Sequence, residues 1–143
     1  MKDVCEKYGV LFIADEVMCG MGRTGYFHAW QKENVVPDIQ IVGKGLAGGY
    51  APISAILVGE RIDNALGSST FSHGHTFQNY APSCVAALAV QQIIFEENLL
   101  ANVRKQGAVL RQKLEERLSR HRFVGDIRGE GHFLGVSTDG LLC

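Results

Sequence analysis

Two short apolar runs stop abruptly at residues able to do chemistry, and this constrains the fold more than any other feature of the chain. Val10-Leu11-Phe12-Ile13-Ala14 ends in Asp15-Glu16, and Ile39 to Val42 ends in Gly43-Lys44-Gly45. A run that is apolar on both faces fits a strand buried in a parallel sheet. A third run, Ile53 to Val58, reads as another strand. Residues 2–8 read as the end of a helix stopped by Gly9, Tyr26 to Asn34 as a short helix, and Arg61 to Leu66 as another stopped by Gly67. Strands alternating with helices predict an α/β architecture. In open α/β sheets the chemistry gathers at the carboxyl ends of the strands, and two such ends here carry Asp15 and Lys44.

The remaining chain changes character. Residues 68–80 are polar and aromatic without periodicity, a long loop of the kind that often serves function. Pro82 opens a helix running to about Glu97, as suits a proline in a first turn. Val85, Leu88, Ala89 and Phe95 line one side and Ala86, Ala87, Val90 and Ile94 the other, which predicts a helix buried all round. Leu99 to about Arg120 reads as amphipathic, with Val103, Leu110, Leu114 and Leu118 inward. Two strand candidates follow, Phe123 to Arg128 and His132 to Val136, joined by Gly129-Glu130-Gly131.

Composition narrows the function classes. The chain has 143 residues, 46% hydrophobic and 20% charged, enough for one soluble domain with a core. A net charge of -1 without a Lys/Arg-rich run argues against a nucleic-acid or anionic-membrane partner. No apolar run is long enough to span a bilayer, and MKDVCEKYG lacks the apolar core of a signal peptide. Cys5, Cys19, Cys84 and Cys143 are scattered, without a C-x-x-C pair, and read as reduced thiols of an intracellular, cytoplasmic protein. Many of the 17 glycines flank the apolar runs, as loops around a site would require.

Lys44 follows an apolar strand between two glycines. Partial desolvation there would favour a nucleophilic amine, and the glycines would admit a bulky planar group. A lysine that caps a strand and reaches water would give the same pattern. Asp15 at the other strand end would need a cationic partner if buried, either an Arg or Lys of the protein or a protonated ring nitrogen. His73 and His75 could share one side of a strand, but no third ligand accompanies them and no metal is expected. Gly43-Lys44-Gly45 is not a P-loop, because no Ser or Thr follows the lysine. Arg23 reads as a structural loop residue.

LFIADEVMCGMGRTGYFHAW followed by PDIQIVGKGLAGGYAPISAILV resembles the signature of the class-III, omega-type aminotransferases. SHGHTF at 72–77 and VGDIRGEGHFLGV at 124–136 resemble further segments of that family in the same order. The resemblance implies a fold-type-I large domain, a mostly parallel sheet with flanking helices, over 1–97. The start of a small C-terminal domain would occupy 98–143. It implies pyridoxal 5'-phosphate as cofactor and a Schiff base between it and Lys44, which would also shuttle a proton between substrate and cofactor carbons. Asp15 would pair with the pyridine nitrogen, Val17 would pack on one ring face, and Thr76 would bind the phosphate across a homodimer interface. A core valine and a turn-capping threonine are the plainer readings of the last two. The implied reaction moves an amino group from an amine or omega-amino acid to a keto acid.

Members of the family are several times longer. The segments expected to supply the outer strands, a ring-stacking aromatic residue and the main phosphate loop lie outside these residues. A fragment without activity of its own therefore stays open as an alternative. So do an aminomutase and a decarboxylase of the same fold, since all would use Asp15 and Lys44 alike.

Overall fold

The computed structural model describes residues 1–67 and 73–138. Helix α1 (Lys2–Lys7) leads into β1 (Ile13–Asp15). A crossover containing α2 (Trp30–Glu33) reaches β2 (Ile39–Val42). A 3-10 turn, Lys44–Ala47, and a loop then lead to β3 (Ala55–Val58) and α3 (Glu60–Leu66). Two longer helices follow, α4 (Ala81–Glu96) and α5 (Leu99–Leu118), and the hairpin β4 (Val124–Glu130) with β5 (Phe133–Thr138) closes the described chain.

The first sheet has the order β1-β2-β3. β1 runs parallel to β2, with Asp15 beside Ile41, and β3 runs antiparallel to β2. The expected α/β arrangement is present, but only one of these two pairings is parallel. β1 is shorter than the apolar run suggested, because only Ile13 to Asp15 have partners on β2. The run is also not buried: Val10 is 54% and Ile13 53% exposed, since β1 is an edge strand. β2 is the central strand, and Val42 is its best-enclosed side chain.

Asn34, in a left-handed conformation at φ 52°, ends α2 after Trp30–Glu33, so the predicted helix over Tyr26 to Asn34 is reduced to its last turn. α4 begins with Pro at its first turn, as anticipated. The expectation that α4 is buried all round fails, because Ser83 and Ala87 are its buried residues. Phe95 is 84% and Val85 66% exposed, since one flank of the helix rests on the 3-10 turn and α5 while the other is uncovered. α5 buries Gly107, while Leu110 is exposed. A Cβ placed on Gly107 would lie 2.5 Å from the Gly131 carbonyl oxygen, so this glycine lets the hairpin approach the helix backbone.

The hairpin also meets the glycine-rich loop over 20–25 that follows β1. The His132 N–H donates to the Arg23 carbonyl at 2.9 Å, Arg104 of α5 donates to the Gly25 carbonyl, and Lys32 pairs with Glu130. Arg23 is thus a structural loop residue through its backbone. Arg128 pairs with Asp126 at 3.2 Å on the hairpin. Among the described residues no single helix is long and apolar enough to cross a membrane. Cys5, Cys19 and Cys84 are free thiols, and Cys143 lies outside the described residues.

Candidate functional site

Lys44 stands at the carboxyl end of β2 as the first residue of the 3-10 turn, with φ 41°. A left-handed lysine costs roughly 1–3 kcal/mol and persists only where its surroundings enforce it. Gly43 supplies an extended residue before it, with φ -173°. The Leu46 N–H then donates to the Gly43 carbonyl at 2.9 Å, and the Gly48 N–H donates to Gly45 at 3.1 Å. Ala47 is fully buried and Gly45 packs on Met21, so the turn is pinned on its inner side. The Lys44 side chain itself is exposed, and no hydrogen bond or ion pair engages it among the described residues. The expected partial desolvation is therefore absent here, because the lysine lies beyond the strand end and is exposed among the described residues.

Asp15 occupies the matching end of the parallel neighbour, beside Ile41. It too is exposed, so water satisfies its charge and the expected need for a cation from the protein does not arise. Its Oδ1 accepts the Val17 N–H at 3.0 Å, and among the described residues no group donates to Oδ2. That hydrogen bond turns the chain, so Val17 does not continue the strand in extended form. The turn carries the Val17 side chain toward β2, where its Cγ1 would lie 3.7 Å from a Cβ placed on Gly43. Asp15, Val17, Gly43 and Lys44 thus share one edge of the sheet. Thr76 makes no hydrogen bond to them among the described residues. It sits exposed in a turn over 76–79, where the Gln78 N–H donates to the His75 carbonyl at 2.9 Å. Residues 68–72, part of the predicted loop, lie outside the described residues. No cluster of three His, Cys, Asp or Glu suited to a metal occurs among the described residues.

A second constellation behind this edge was not anticipated. Glu16 is 3% exposed, and its carboxylate accepts the Ala29 and Trp30 N–H groups, each at 2.8 Å, at the start of α2. Gln40 Nε2 donates to Glu16 at 3.1 Å, and the Trp30 indole N–H donates to Gln40 Oε1 at 3.0 Å. An indole N–H can only donate, which fixes the Gln40 amide and makes its Nε2 the donor to His28 Nδ1 at 2.7 Å. His28 is therefore neutral with its proton on Nε2. Burial lowers its pKa, and the Glu16 charge opposes that shift only in part. Burial, aided by the Glu16 charge, raises the pKa of the neighbouring Cys19 thiol. The sequence signal for this network was Gln40, a polar residue inside an apolar strand that must find partners.

A cleft of about 360 Å³ lies beyond this network rather than at Lys44, between Cys19, Thr24, Tyr26, Lys32, Glu130 and Phe133. The site edge is an open surface, and its distinguishing features are the left-handed lysine and the neighbouring aspartate.

Residues 1–140 match the family model described as aminotransferase class-III. The chain belongs to the class-III aminotransferase family. An aminotransferase of Gibberella zeae is 57% identical over 135 residues, covering 93% of this chain and 26% of that protein. The taurine–pyruvate aminotransferase of Bilophila wadsworthia is 41% identical, covering 95% of this chain and 31% of that protein. Among solved structures, the taurine:2-oxoglutarate aminotransferase of Bifidobacterium kashiwanohense, in complex with PLP and glutamate, superposes with a TM-score of 0.91 at 34% identity. It aligns with 96% of this chain, which covers 31% of it. The chain therefore spans less than a third of the length of these class-III relatives.

Proposed function

We propose that this chain supplies the lysine-bearing part of an aminotransferase that uses pyridoxal 5'-phosphate. The reaction would move an amino group from an amine or omega-amino acid to a keto acid. One observation carries the reading: an exposed amine on a left-handed backbone at the end of β2, beside an aspartate at the end of the parallel β1. The chemistry of the edge fits the cofactor. Asp15 has one oxygen engaged by Val17 and the other without a protein donor among the described residues, ready for a ring N–H. Gly43 has no side chain to obstruct a planar ring beside Val17.

When bound, pyridoxal phosphate supplies an aldehyde that takes up the amino group and a ring that accepts the electrons released from the donor C–H bond. Lys44 would hold the cofactor through its amine and then carry a proton between donor carbon and cofactor carbon. Asp15 would keep the ring nitrogen protonated, and Val17 would limit the ring's tilt. Thr76 would act on the phosphate from a second subunit of a homodimer. The division into a large-domain part, 1–97, and a small-domain part, 98–143, is part of this proposal; it falls at the turn between α4 and α5. Apolar residues left exposed on β1, β3 and α4 support a site completed by further polypeptide.

The names of the similar proteins suggest donors to try: taurine and other omega-amino acids, with pyruvate or 2-oxoglutarate as acceptor. Keto acid consumed in step with donor, in wild type and not in Lys44→Ala, supports transfer. Loss of carbon dioxide, or rearrangement of the donor without an acceptor, contradicts it.

A further inference from the structure

Gln91 lies on α4 with its side chain against the 3-10 turn, and its Nε2 donates to the Leu46 carbonyl at 2.6 Å. A carbonyl only accepts, so the amide orientation is fixed and Oε1 must face the other way. There it is enclosed, and no protein group among the described residues donates to it. A buried polar atom left in this state weakens the fold. A helix this apolar could seat a leucine or methionine at position 91 without that cost. Gln91 therefore makes one bond at the expense of stability, and that bond goes to the turn that begins with Lys44.

We propose that Gln91 is a positioning residue for Lys44. Its amide holds the Leu46 carbonyl and thereby keeps the turn closed and Lys44 in its left-handed conformation. Within the turn, the Leu46 N–H bonds to Gly43 across Lys44 and must let go if Lys44 relaxes, and the Gly48 N–H bonds to Gly45 across Leu46, the residue whose carbonyl Gln91 holds. Val90, the neighbour of Gln91 on α4, packs near Gly48 and leaves 3.2 Å for a Cβ there, so the helix presses the turn at its far end as well. Val90 supplies contact, whereas Gln91 supplies the directed bond. The role as positioning residue rests on the reading of Lys44 as the reactive amine.

The test is Gln91→Met in the 143-residue chain, which keeps the length of the side chain and removes both polar atoms. Amide hydrogen exchange is read by NMR residue by residue, beside a urea unfolding curve. The expected result is local. Leu46 and Gly48 exchange about tenfold faster, as for the loss of one hydrogen bond, the β2 amides do not change, and the urea midpoint stays or rises. Unchanged exchange at Leu46 and Gly48 overturns the proposal. So does an equal acceleration of all amides with a falling midpoint, the mark of a plain core residue. If the variant does not fold, the wild-type chain decides. The Gln91 side-chain amide protons are expected to exchange slowly and to show coupling across the hydrogen bond to the Leu46 carbonyl carbon; rapid exchange without coupling overturns the proposal. A second readout adds pyridoxal phosphate and borohydride, where Gln91→Met is expected to raise the half-saturating cofactor concentration at Lys44 several-fold. If even wild type traps no cofactor on Lys44, the proposed function fails, and the exchange data still decide whether Gln91 holds the turn.

Discussion

Replacing Glu16 should unfold the crossover behind the site before it disturbs the sheet. The carboxylate accepts three hydrogen bonds, from the Ala29 and Trp30 N–H groups and from Gln40 Nε2. A hydrogen bond to a charged acceptor contributes about 1.5–3 kcal/mol when its partner is left buried and unsatisfied. Ala29 and Trp30 are only half-buried, so water can reach their amides after truncation, and we take about 1 kcal/mol for each bond. Glu16→Ala is then expected to cost about 3 kcal/mol. Glu16→Gln keeps the volume but places an NH₂ against at least one donor, and should cost about half as much. Trp30 is the single tryptophan of the chain and a member of the network, so its fluorescence during urea unfolding reports the change directly. A loss below about 1 kcal/mol for Glu16→Ala, or a Glu16→Gln variant as stable as wild type, would refute the reasoning.

Other perturbations test separate parts of the account. Gly107→Ala gains about 1 kcal/mol of helix propensity but pushes a methyl group into the Gly131 backbone, for a net loss of about 1–2 kcal/mol visible in a thermal melt. Lys44→Gly relieves the left-handed strain and should raise stability by about 1 kcal/mol while abolishing cofactor trapping; a less stable variant contradicts the claim of strain. His28 has a lowered pKa in the fold, so the unfolded chain binds its proton first as pH falls through the ordinary value of 6.5. Stability should therefore decline as pH drops from 6.5 toward the lower folded value, and urea midpoints of His28→Asn should lack that part of the slope.

The sequence disclosed the site edge better than it disclosed the core. Asp15 and Lys44 were legible because each ends an apolar run, and parallel pairing of β1 with β2 then sets them on one edge. The extent and burial of the first run were not legible. Periodicity reports which residues can be buried, while pairing with Ile39 to Ile41 and the edge position of β1 decide which ones are. The same distinction explains α4, whose apolar surface is real but is left partly uncovered among the described residues. Helix ends marked by Pro82 and Gly67, and the hairpin turn marked by Gly129 and Gly131, were placed to within a residue or two, since they depend on local backbone chemistry. The network of Glu16, His28, Trp30 and Gln40 joins residues from three places in the chain, and only the fold reveals it. Gln91 was hidden for a similar reason: in a helix apolar nearly all round, one amide gives no sign of the carbonyl it will meet.

The most direct test of the central claim is cofactor trapping on the intact chain. Purified protein is mixed with pyridoxal phosphate and reduced with borohydride, and the adduct is located by peptide mass mapping. A visible absorption band before reduction and an adduct confined to Lys44, absent in Lys44→Ala and weakened in Asp15→Asn, are the expected results. Label spread over surface lysines, or none at all, would contradict the assignment of Lys44 and Asp15 as a cofactor site in this chain.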